Sequence, residues 1–183
     1  MNWRNYIKLS FKPLTDLEID LIWQQISRRE LITQMYLQHQ QNLTLVDCYF
    51  DVEHWDEYHL LNDPPLLKHL YQQGGLCIGA YHSDKLLGVQ MVSNQIIQDF
   101  PDAKLLQYFY VDADHQGLGI GKQLMQSAVS AAKQLKAKQL YISATPSKRT
   151  VDFYLKQGAN PLENPDQQLF RLEPEDIHLL YTI

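Results

Sequence analysis

The sequence is poor in cysteine and has no long apolar run, and both absences exclude whole classes of protein. Cys48 and Cys77 are its only cysteines, too few for a disulfide framework and wrongly spaced for a cysteine zinc site. No stretch approaches the roughly 18 consecutive apolar residues of a membrane helix, and residues 1–12 are too polar for a signal peptide. We therefore expect a cytoplasmic protein with no membrane partner.

An excess of positive charge is also lacking. The 183 residues carry 16 Lys and Arg against 21 Asp and Glu, for a formal net charge of -5. Such a chain has no overall attraction to a polyanion, so we expect no nucleic-acid partner. The seven histidines never stand four positions apart, the helical spacing of paired metal ligands, and we expect no metal site.

The composition is that of one globular domain. Hydrophobic residues make up 45 % and charged residues 20 % of the chain, close to the averages for such proteins. No repeat, low-complexity tract or flexible linker divides the sequence. We therefore treat residues 1–183 as a single domain.

The first 75 residues give weak structural signals. Alternating polarity predicts a strand over 6–11, and a capping box formed by Thr15 and Glu18 predicts the start of a helix. Apolar residues at 31, 32, 35 and 36 follow a helical spacing and predict a second helix.

The next segment, residues 43–58, is acidic and aromatic and shows no regular pattern. Asp63 and Pro64 suit the cap and the first position of a further helix. That helix should stop at the pair Gly74 and Gly75.

Residues 76–158 are easier to interpret. They predict, in order, a hairpin of strands 76–81 and 86–92, a strand at 104–111, a helix at 119–135, a strand at 139–144 and a helix at 147–157. A strand, helix, strand unit crosses over right-handed, so the strands 105–111 and 139–144 should be parallel. Ligands bind preferentially at the carboxyl ends of such strands.

A glycine-rich turn stands at that end. The run Q-G-L-G-I-G from Gln116 to Gly121 lies between a strand and a helix, where uncovered backbone N–H groups and the helix dipole favour phosphate oxygens. A dinucleotide fingerprint is excluded because Lys122 stands where its third glycine belongs. A nucleotide P-loop is excluded because Gln123 stands where its Ser or Thr belongs. A purely structural glycine turn remains the alternative.

A third pattern fits. Gln116, Gly119 and Gly121 after a strand resemble the acyl-CoA pyrophosphate loop, Q/R-x-x-G-x-G/A, of the GNAT N-acetyltransferase superfamily. The next helix carries Tyr154, Lys156 and Gly158 at the spacing of that family. Ser147 replaces the usual Asn, and Thr150 replaces the usual Ala.

The resemblance implies a fold and a division of the chain. The expected fold is α/β (α+β) of the GNAT type: a mixed, mostly antiparallel sheet of six to seven strands, flanked by four to five helices, with one splayed parallel strand pair. Residues 76–158 would bind acetyl-CoA, residues 1–75 would form variable helices on the acceptor side, and residues 159–183 would supply the last strands.

The resemblance also implies cofactor contacts. Pantetheine would add to the strand at 105–111 like a further strand, and the pyrophosphate would lie on the backbone of the glycine loop. The residues expected to bind acetyl-CoA are Phe109, Tyr110, Val111, Gln116, Gly117, Leu118, Gly119, Ile120, Gly121, Lys122, Ser147, Thr150, Tyr154 and Lys156.

Catalysis would need an acid and a base. In the family, the tyrosine that matches Tyr154 hands a proton to the departing CoA thiolate, so Tyr154 is the expected general acid. An alkylamine titrates near pH ~10 and must lose a proton before it attacks. The base is not identified by the sequence; the candidates are Glu30, Asp47, Asp51 and Glu53.

Two functions remain open. The first is an acetyl-CoA-dependent N-acetyltransferase that acts by direct transfer to a primary amine of a small molecule or peptide. The second is a catalytically weak acyl-CoA-binding sensor or partner module of the same fold, suggested by the change to Ser147 and the unidentified base. Exposed strand edges are compatible with a homodimer.

Overall fold

The structure is a computed structural model that describes residues 8–183. Seven of its nine strands form one mixed sheet, and the second and third strands form a separate two-stranded sheet. The strands are β1 (Ser10–Pro13), β2 (Glu30–His39), β3 (Asn42–Val52), β4 (Leu76–His82), β5 (Lys85–Val92), β6 (Ala103–Val111), β7 (Gln139–Ala144), β8 (Asn160–Pro161) and β9 (Ile177–Thr182). The helices are α1 (Asp16–Asp20), α2 (Ile22–Gln25), α3 (Glu57–Gln72), α4 (Ile120–Gln134), α5 (Lys148–Gln157) and α6 (Gln167–Leu172). None of these helices is long and apolar enough to cross a membrane.

The strand order in the seven-stranded sheet is β1-β4-β5-β6-β7-β9-β8. Neighbouring strands in this sheet run antiparallel, except for the parallel pair β6 and β7. The parallel pair needs a crossover connection, which α4 supplies. The expected mixed sheet with one parallel pair is confirmed. The helices number six rather than four to five among the described residues, in part because the first helix divides at Leu21 into α1 and α2.

β6 and β7 pair only where they begin. Ala103–Leu105 faces Gln139–Tyr141 in parallel register, and the pairing stops there. The register of β6 against β5 jumps from Leu106 to Tyr108, which makes Gln107 the extra residue of a bulge. A bulge bends its strand. The second half of β6 therefore pairs only with β5, and the second half of β7 pairs only with β9. A V-shaped opening separates β6 from β7 there.

Different helices cover the two faces of the sheet. On one face α1, α2 and α3 pack through Ile19, Ile22 and Leu67. On the other, Ile120 and Leu124 of α4 pack against β4 and β5. Fully burying such a side chain stabilises the fold by about 1.5–3 kcal/mol. The helices are thereby fixed on the two faces of the sheet that contains the V-shaped opening.

The capping box at the first helix is confirmed. The Thr15 hydroxyl accepts from Glu18 N at 3.3 Å, and Thr15 N donates to the Glu18 carboxylate at 2.8 Å. Of the strand expected at 6–11, residues 6 and 7 lie outside the described residues, and residues 8 and 9 are not part of a strand. Where the two overlap, β1 begins at Ser10 and continues to Pro13.

The second helix predicted around Leu31 to Tyr36 is wrong, because this segment is strand β2. It pairs antiparallel with β3, which occupies most of the segment without a clear pattern. Tertiary bonds hold the β2–β3 hairpin: Tyr36 N donates to Pro146 O at 2.8 Å, and the Gln38 amide donates to Leu162 O at 2.7 Å. Such contacts distant in sequence override a helical spacing of four apolar residues.

The start predicted for the third helix at Asp63 and Pro64 is also wrong. The helix α3 begins at Glu57, capped by the Asp56 carboxylate, which accepts from His59 N at 2.9 Å. Pro64 and Pro65 therefore lie inside the helix. Each interior proline costs about 3 kcal/mol, and the burial of Leu67 and Leu70, about 1.5–3 kcal/mol each, offsets much of this cost. The predicted end is confirmed, with Gly74 following at a φ of 85°.

Candidate active site

The glycine loop opens onto the V-shaped gap. Gly117 and Gly119 both have left-handed backbones, with φ of 78° and 81°, a conformation that favours glycine. A Cβ at either position would meet no atom of residues 8–183 within 4 Å. No packing therefore demands glycine here beyond the backbone angle itself, and the loop borders open space. Gly119 caps the N-terminus of α4, so the positive end of a 15-residue helix points the same way.

A single cavity of about 1140 Å³ joins this loop to α3. Its first end is lined by the glycine loop, the second half of β6 and the start of α5. Its second end is lined by α3, by the segment after β5 and by the segment that leads into β9. The cavity thus extends from backbone that is suited to phosphates to the helices and loops beyond β6.

Most of the predicted cofactor residues line this cavity: Phe109, Tyr110, Val111, Gln116, Gly117, Gly119, Ile120, Gly121, Lys122 and Thr150. Four predicted residues lie outside its lining: Leu118, Ser147, Tyr154 and Lys156. Leu118 and Lys156 are exposed. The structure therefore brings the glycine loop and the second half of β6 to one cavity, whereas Ser147, Tyr154 and Lys156 lie outside its lining.

Tyr154 lies just behind the cavity wall. Its ring packs 5.9 Å from that of Phe109 and 5.1 Å from that of Phe153, and both of these line the cavity. Only 5 % of Tyr154 is exposed, and burial raises the pKa of its phenol. The phenol is therefore protonated at neutral pH and able to donate.

Ser147 serves as the N-cap of α5. Its hydroxyl accepts from Thr150 N at 3.4 Å and lies 3.0 Å from the Glu30 carboxylate, to which it can donate. The other Glu30 oxygen accepts from Arg149 at 2.8 Å, and Arg149 also donates to Gln116 of the glycine loop. This network ties the β2–β3 hairpin to the glycine-loop end of the cavity.

The other predicted base candidates lie farther out. Asp47, Asp51 and Glu53 are exposed, and Asp47 accepts from the Gln34 amide at 3.1 Å. Asp51 and Glu53 line a separate shallow groove of about 470 Å³ beside Arg29. Glu30 is the one of the four predicted candidates that also borders the main cavity.

The turn after β6 is organised by Asp112, which is 2 % exposed. Its carboxylate accepts from Ser27 N at 2.9 Å and lies 2.6 Å from His115 Nδ1. Burial raises the pKa of Asp112, but the hydrogen bonds from Ser27 and His115 outweigh it and hold the pKa below its usual range. The turn therefore fixes the end of β6, and the glycine loop after it, to the chain beyond α2.

The sequence did not point to Asp176, which lines the cavity just before β9. Its carboxylate accepts from the Ser143 hydroxyl of β7 at 3.0 Å. Burial raises its pKa to about 6, against the Ser143 hydrogen bond, and the negative charge of Glu173 raises it further. The one available signal was a carboxylate directly before the last strand; the fold alone brings that position to the opening.

A second unpredicted group joins Asp63 of α3, Tyr108 of β6 and Trp23 of α2. The Asp63 Oδ2 atom, the Tyr108 hydroxyl and the Trp23 Nε1 atom are buried without a hydrogen-bond partner among the described residues. Burial raises the pKa of Asp63, although the neighbouring His59 opposes this. Trp55 stacks beside Tyr108 with ring centroids 6.2 Å apart. The end of the cavity beside α3 thus combines aromatic rings with carboxylates, a lining suited to a cation.

The chain matches a known protein family. Residues 26–168 match the model of the acetyltransferase (GNAT) domain. A search of curated protein sequences finds no match.

Solved structures share the fold at low sequence identity. Nourseothricin acetyltransferase superposes with a TM-score of 0.67 at 15 % identity, over 94 % of this chain and 95 % of its own. PaiA N-acetyltransferase from Thermoplasma acidophilum, solved with coenzyme A, gives 0.63 at 13 % identity, over 96 % and 99 %. A GNAT family acetyltransferase from Elizabethkingia anophelis, solved with acetyl-CoA, gives 0.52 at 20 % identity, over 68 % and 87 %. These likenesses confirm the fold class.

Proposed function

We propose, since this chain belongs to the GNAT acetyltransferase family, that it moves an acetyl group from acetyl-CoA to a primary amine of a small molecule or peptide. The observation that carries the proposal is the continuous cavity from the glycine loop to the carboxylates of the acceptor end. One end offers backbone donors and cations to phosphates. The other offers negative charge and aromatic faces to an ammonium group.

The residues at the cofactor end fit acetyl-CoA. The open positions at Gly117 and Gly119 let phosphate oxygens approach the backbone N–H groups. Lys122 and Arg149 border the same part of the cavity and bring positive charge to it. The half of β6 beyond Leu105 has no partner on the β7 side, which leaves its backbone free to bond the pantetheine amides.

The chemistry then follows from positions along β6. A backbone N–H of this strand would polarise the thioester carbonyl and stabilise the negative charge that develops on its oxygen. Tyr154 would protonate the CoA thiolate as the C–S bond breaks, because its phenol holds its proton at neutral pH. Since Tyr154 lies behind the cavity wall, this requires that Phe109 and Phe153 shift to let the hydroxyl reach the sulfur. Water is excluded on that side by Phe109 and Phe153, which pack around the tyrosine.

A catalytically weak acyl-CoA-binding module is the second candidate. The observation that favours it is the Ser147 hydroxyl, which is already engaged by Glu30 and by the cap of α5. A side chain so engaged has less to offer a pantetheine amide. Turnover of any amine at a useful rate would exclude this candidate.

The test is a calorimetric titration with acetyl-CoA, followed by an acceptor screen that measures free CoA. Matched titrations with dephospho-CoA and with acyl-free CoA identify the part of the ligand that is held. We expect binding that depends on the phosphates, and release of CoA with arylalkylamines, polyamines or amino acids. Failure to bind acetyl-CoA would contradict both candidates. Binding without turnover would favour the sensor. Light scattering on the same sample would test the homodimer.

A further inference from the structure

The segment between α6 and β9 brings a carboxylate to the opening between β6 and β7. Asp176 lines the cavity there, beside the second half of β6. Resting on the proposed function, we propose that Asp176 is the general base, which takes the proton from the acceptor amine as its nitrogen attacks the thioester.

Asp176 is held in place from β7. The Ser143 hydroxyl donates to its Oδ2 at 3.0 Å, and Ser143 stands two residues beyond the last pairing of β7 with β6. The carboxylate is thereby fixed where the two strands have already parted. Its second oxygen, Oδ1, has no protein hydrogen bond recorded among the described residues and is available to an amine.

The segment itself is rigid because a buried histidine ties it down. His178 is 1 % exposed; its Nδ1 lies 2.8 Å from the Tyr141 hydroxyl, and its Nε2 lies 3.1 Å from Glu173 O. A carbonyl only accepts, so Nε2 carries the proton and Nδ1 accepts from Tyr141. Asp176 N donates to Glu173 O at 3.2 Å. His178 is therefore a positioning residue for Asp176.

The surroundings keep the carboxylate basic. Glu173 contributes negative charge from the same segment, and His178 on β9 is neutral because burial lowers its pKa. Tyr110 of β6 and Tyr154 of α5 both have raised pKa values, mainly through burial and in part through the charge of Asp176. These phenols are neutral at physiological pH. A base that titrates at about 6 is ionised at neutral pH yet still accepts a proton readily.

The proposed reaction moves one proton from the amine to Asp176 and one from Tyr154 to the thiolate. The free amine attacks, the C–N bond forms, and Asp176 takes one proton from the nitrogen. The C–S bond then breaks, and the thiolate receives the Tyr154 proton. Asp176 afterwards releases its proton to solvent and Tyr154 regains one. The products are the acetylated amine and CoA with its thiol.

The competing carboxylates are less suited. Glu30 is bound by Ser147 and paired with Arg149, so its charge is already compensated. Asp63 faces Tyr108 and Trp23 from α3, at the aromatic part of the cavity. We assign these two groups to structure and to acceptor attraction, respectively.

The test compares Asp176→Asn with Glu175→Gln, a matched change at the exposed neighbouring position. Asparagine keeps the size of the side chain and an oxygen for Ser143. We expect kcat to fall about 10²- to 10⁴-fold in Asp176→Asn, the usual contribution of a general base, with the dissociation constant for acetyl-CoA unchanged. Glu175→Gln should match the wild type.

The pH profile gives a readout that a merely structural role would not move. In the wild type, log(kcat/KM) against pH should break at about 6, the pKa of the Asp176 carboxyl, and Asp176→Asn should lose this break. Ser143→Ala removes a donor that lowers the pKa, so the break should move to higher pH. Glu173→Gln removes a negative charge, so the break should move to lower pH.

The outcomes separate the two proposals. A wild type that binds acetyl-CoA but acetylates no amine contradicts the proposed function. A wild type that turns over an amine, with Asp176→Asn equally active, overturns this inference alone. Carbon-13 NMR of the Asp176 carboxyl supplies a measurement that needs no activity, and a pKa near the ordinary value of about 3.9 would also overturn it.

Discussion

Replacing Gly119 by alanine tests directly whether the glycine loop is a phosphate site. Gly119 caps α4 with a φ of 81°, and a Cβ there would extend into the open cavity without touching the protein. The substitution therefore adds backbone strain and one methyl group in the place proposed for phosphate oxygens. Nothing else in the fold needs to move.

The magnitude can be worked out from the backbone. A non-glycine residue in the left-handed region costs about 1–2 kcal/mol, which for a chain of this size lowers Tm by roughly 2–8 °C. The methyl group also keeps phosphate oxygens from the backbone N–H groups. If this removes one charge-assisted hydrogen bond, worth about 1.5–3 kcal/mol, acetyl-CoA should bind at least about tenfold more weakly.

Gly158→Ala is the matched control. Gly158 ends α5 with a φ of 102°, and a Cβ there would meet only Tyr181 Cε2 at 3.8 Å. It carries similar strain away from the cavity lining. Calorimetric titration and thermal unfolding of both variants should show a similar loss of Tm but weakened acetyl-CoA binding only in Gly119→Ala. Equal, wild-type binding in both variants would make the loop a structural turn and refute the reasoning.

Three further predictions concern other parts of the chain. Tyr154→Phe should lower kcat well before it weakens acetyl-CoA binding, measured by CoA release and calorimetry; unchanged turnover would reject it as the acid. Thr15→Ala should lower the free energy of unfolding by about 1 kcal/mol, measured by urea unfolding, because it removes the N-cap of α1. An unchanged free energy of unfolding would mean that the capping box does not stabilise the fold. The pKa of Asp176 in the folded protein, about 6, lies above its unfolded value, so the folded state binds more protons. This contribution to stability is present below pH ~4 and is lost as pH rises through 6. Asp176→Asn should therefore show a smaller fall in unfolding free energy over that range, and curves that run parallel would contradict the assigned pKa.

The part of the fold that the sequence predicted well is held by local signals. The hairpin β4–β5, the crossover through α4 and the end of α5 at Gly158 follow from periodicity over short windows and from glycines at helix ends. The glycine loop could be located because its residues are contiguous. Contacts within a few residues of one another need no knowledge of the rest of the chain.

The errors fall where distant contacts decide the structure. Leu31 and Ile32 could belong to a helix or a strand on spacing alone, and the bonds from β2 to Pro146 and Leu162 decide for a strand. Pro64 suggested a helix start, yet the Asp56 cap begins α3 earlier. The helical preference at 31–36 is worth about 1 kcal/mol and an interior proline costs about 3 kcal/mol, and in both cases tertiary packing outweighs the local preference.

The same reasoning explains why the candidate base could not be found from the sequence. The four predicted carboxylates were chosen for their position in the acceptor-side segment, and three of them are exposed. Asp176 is separated from the glycine loop by more than fifty residues, and it reaches the cavity only because β9 pairs with β7 and Ser143 meets it there. Its basicity also has no local cause, since burial by the assembled fold is the largest influence on its pKa. The position of such a carboxylate in the cavity depends on the strand order of the sheet. It can be predicted only after the register of the last strand is known.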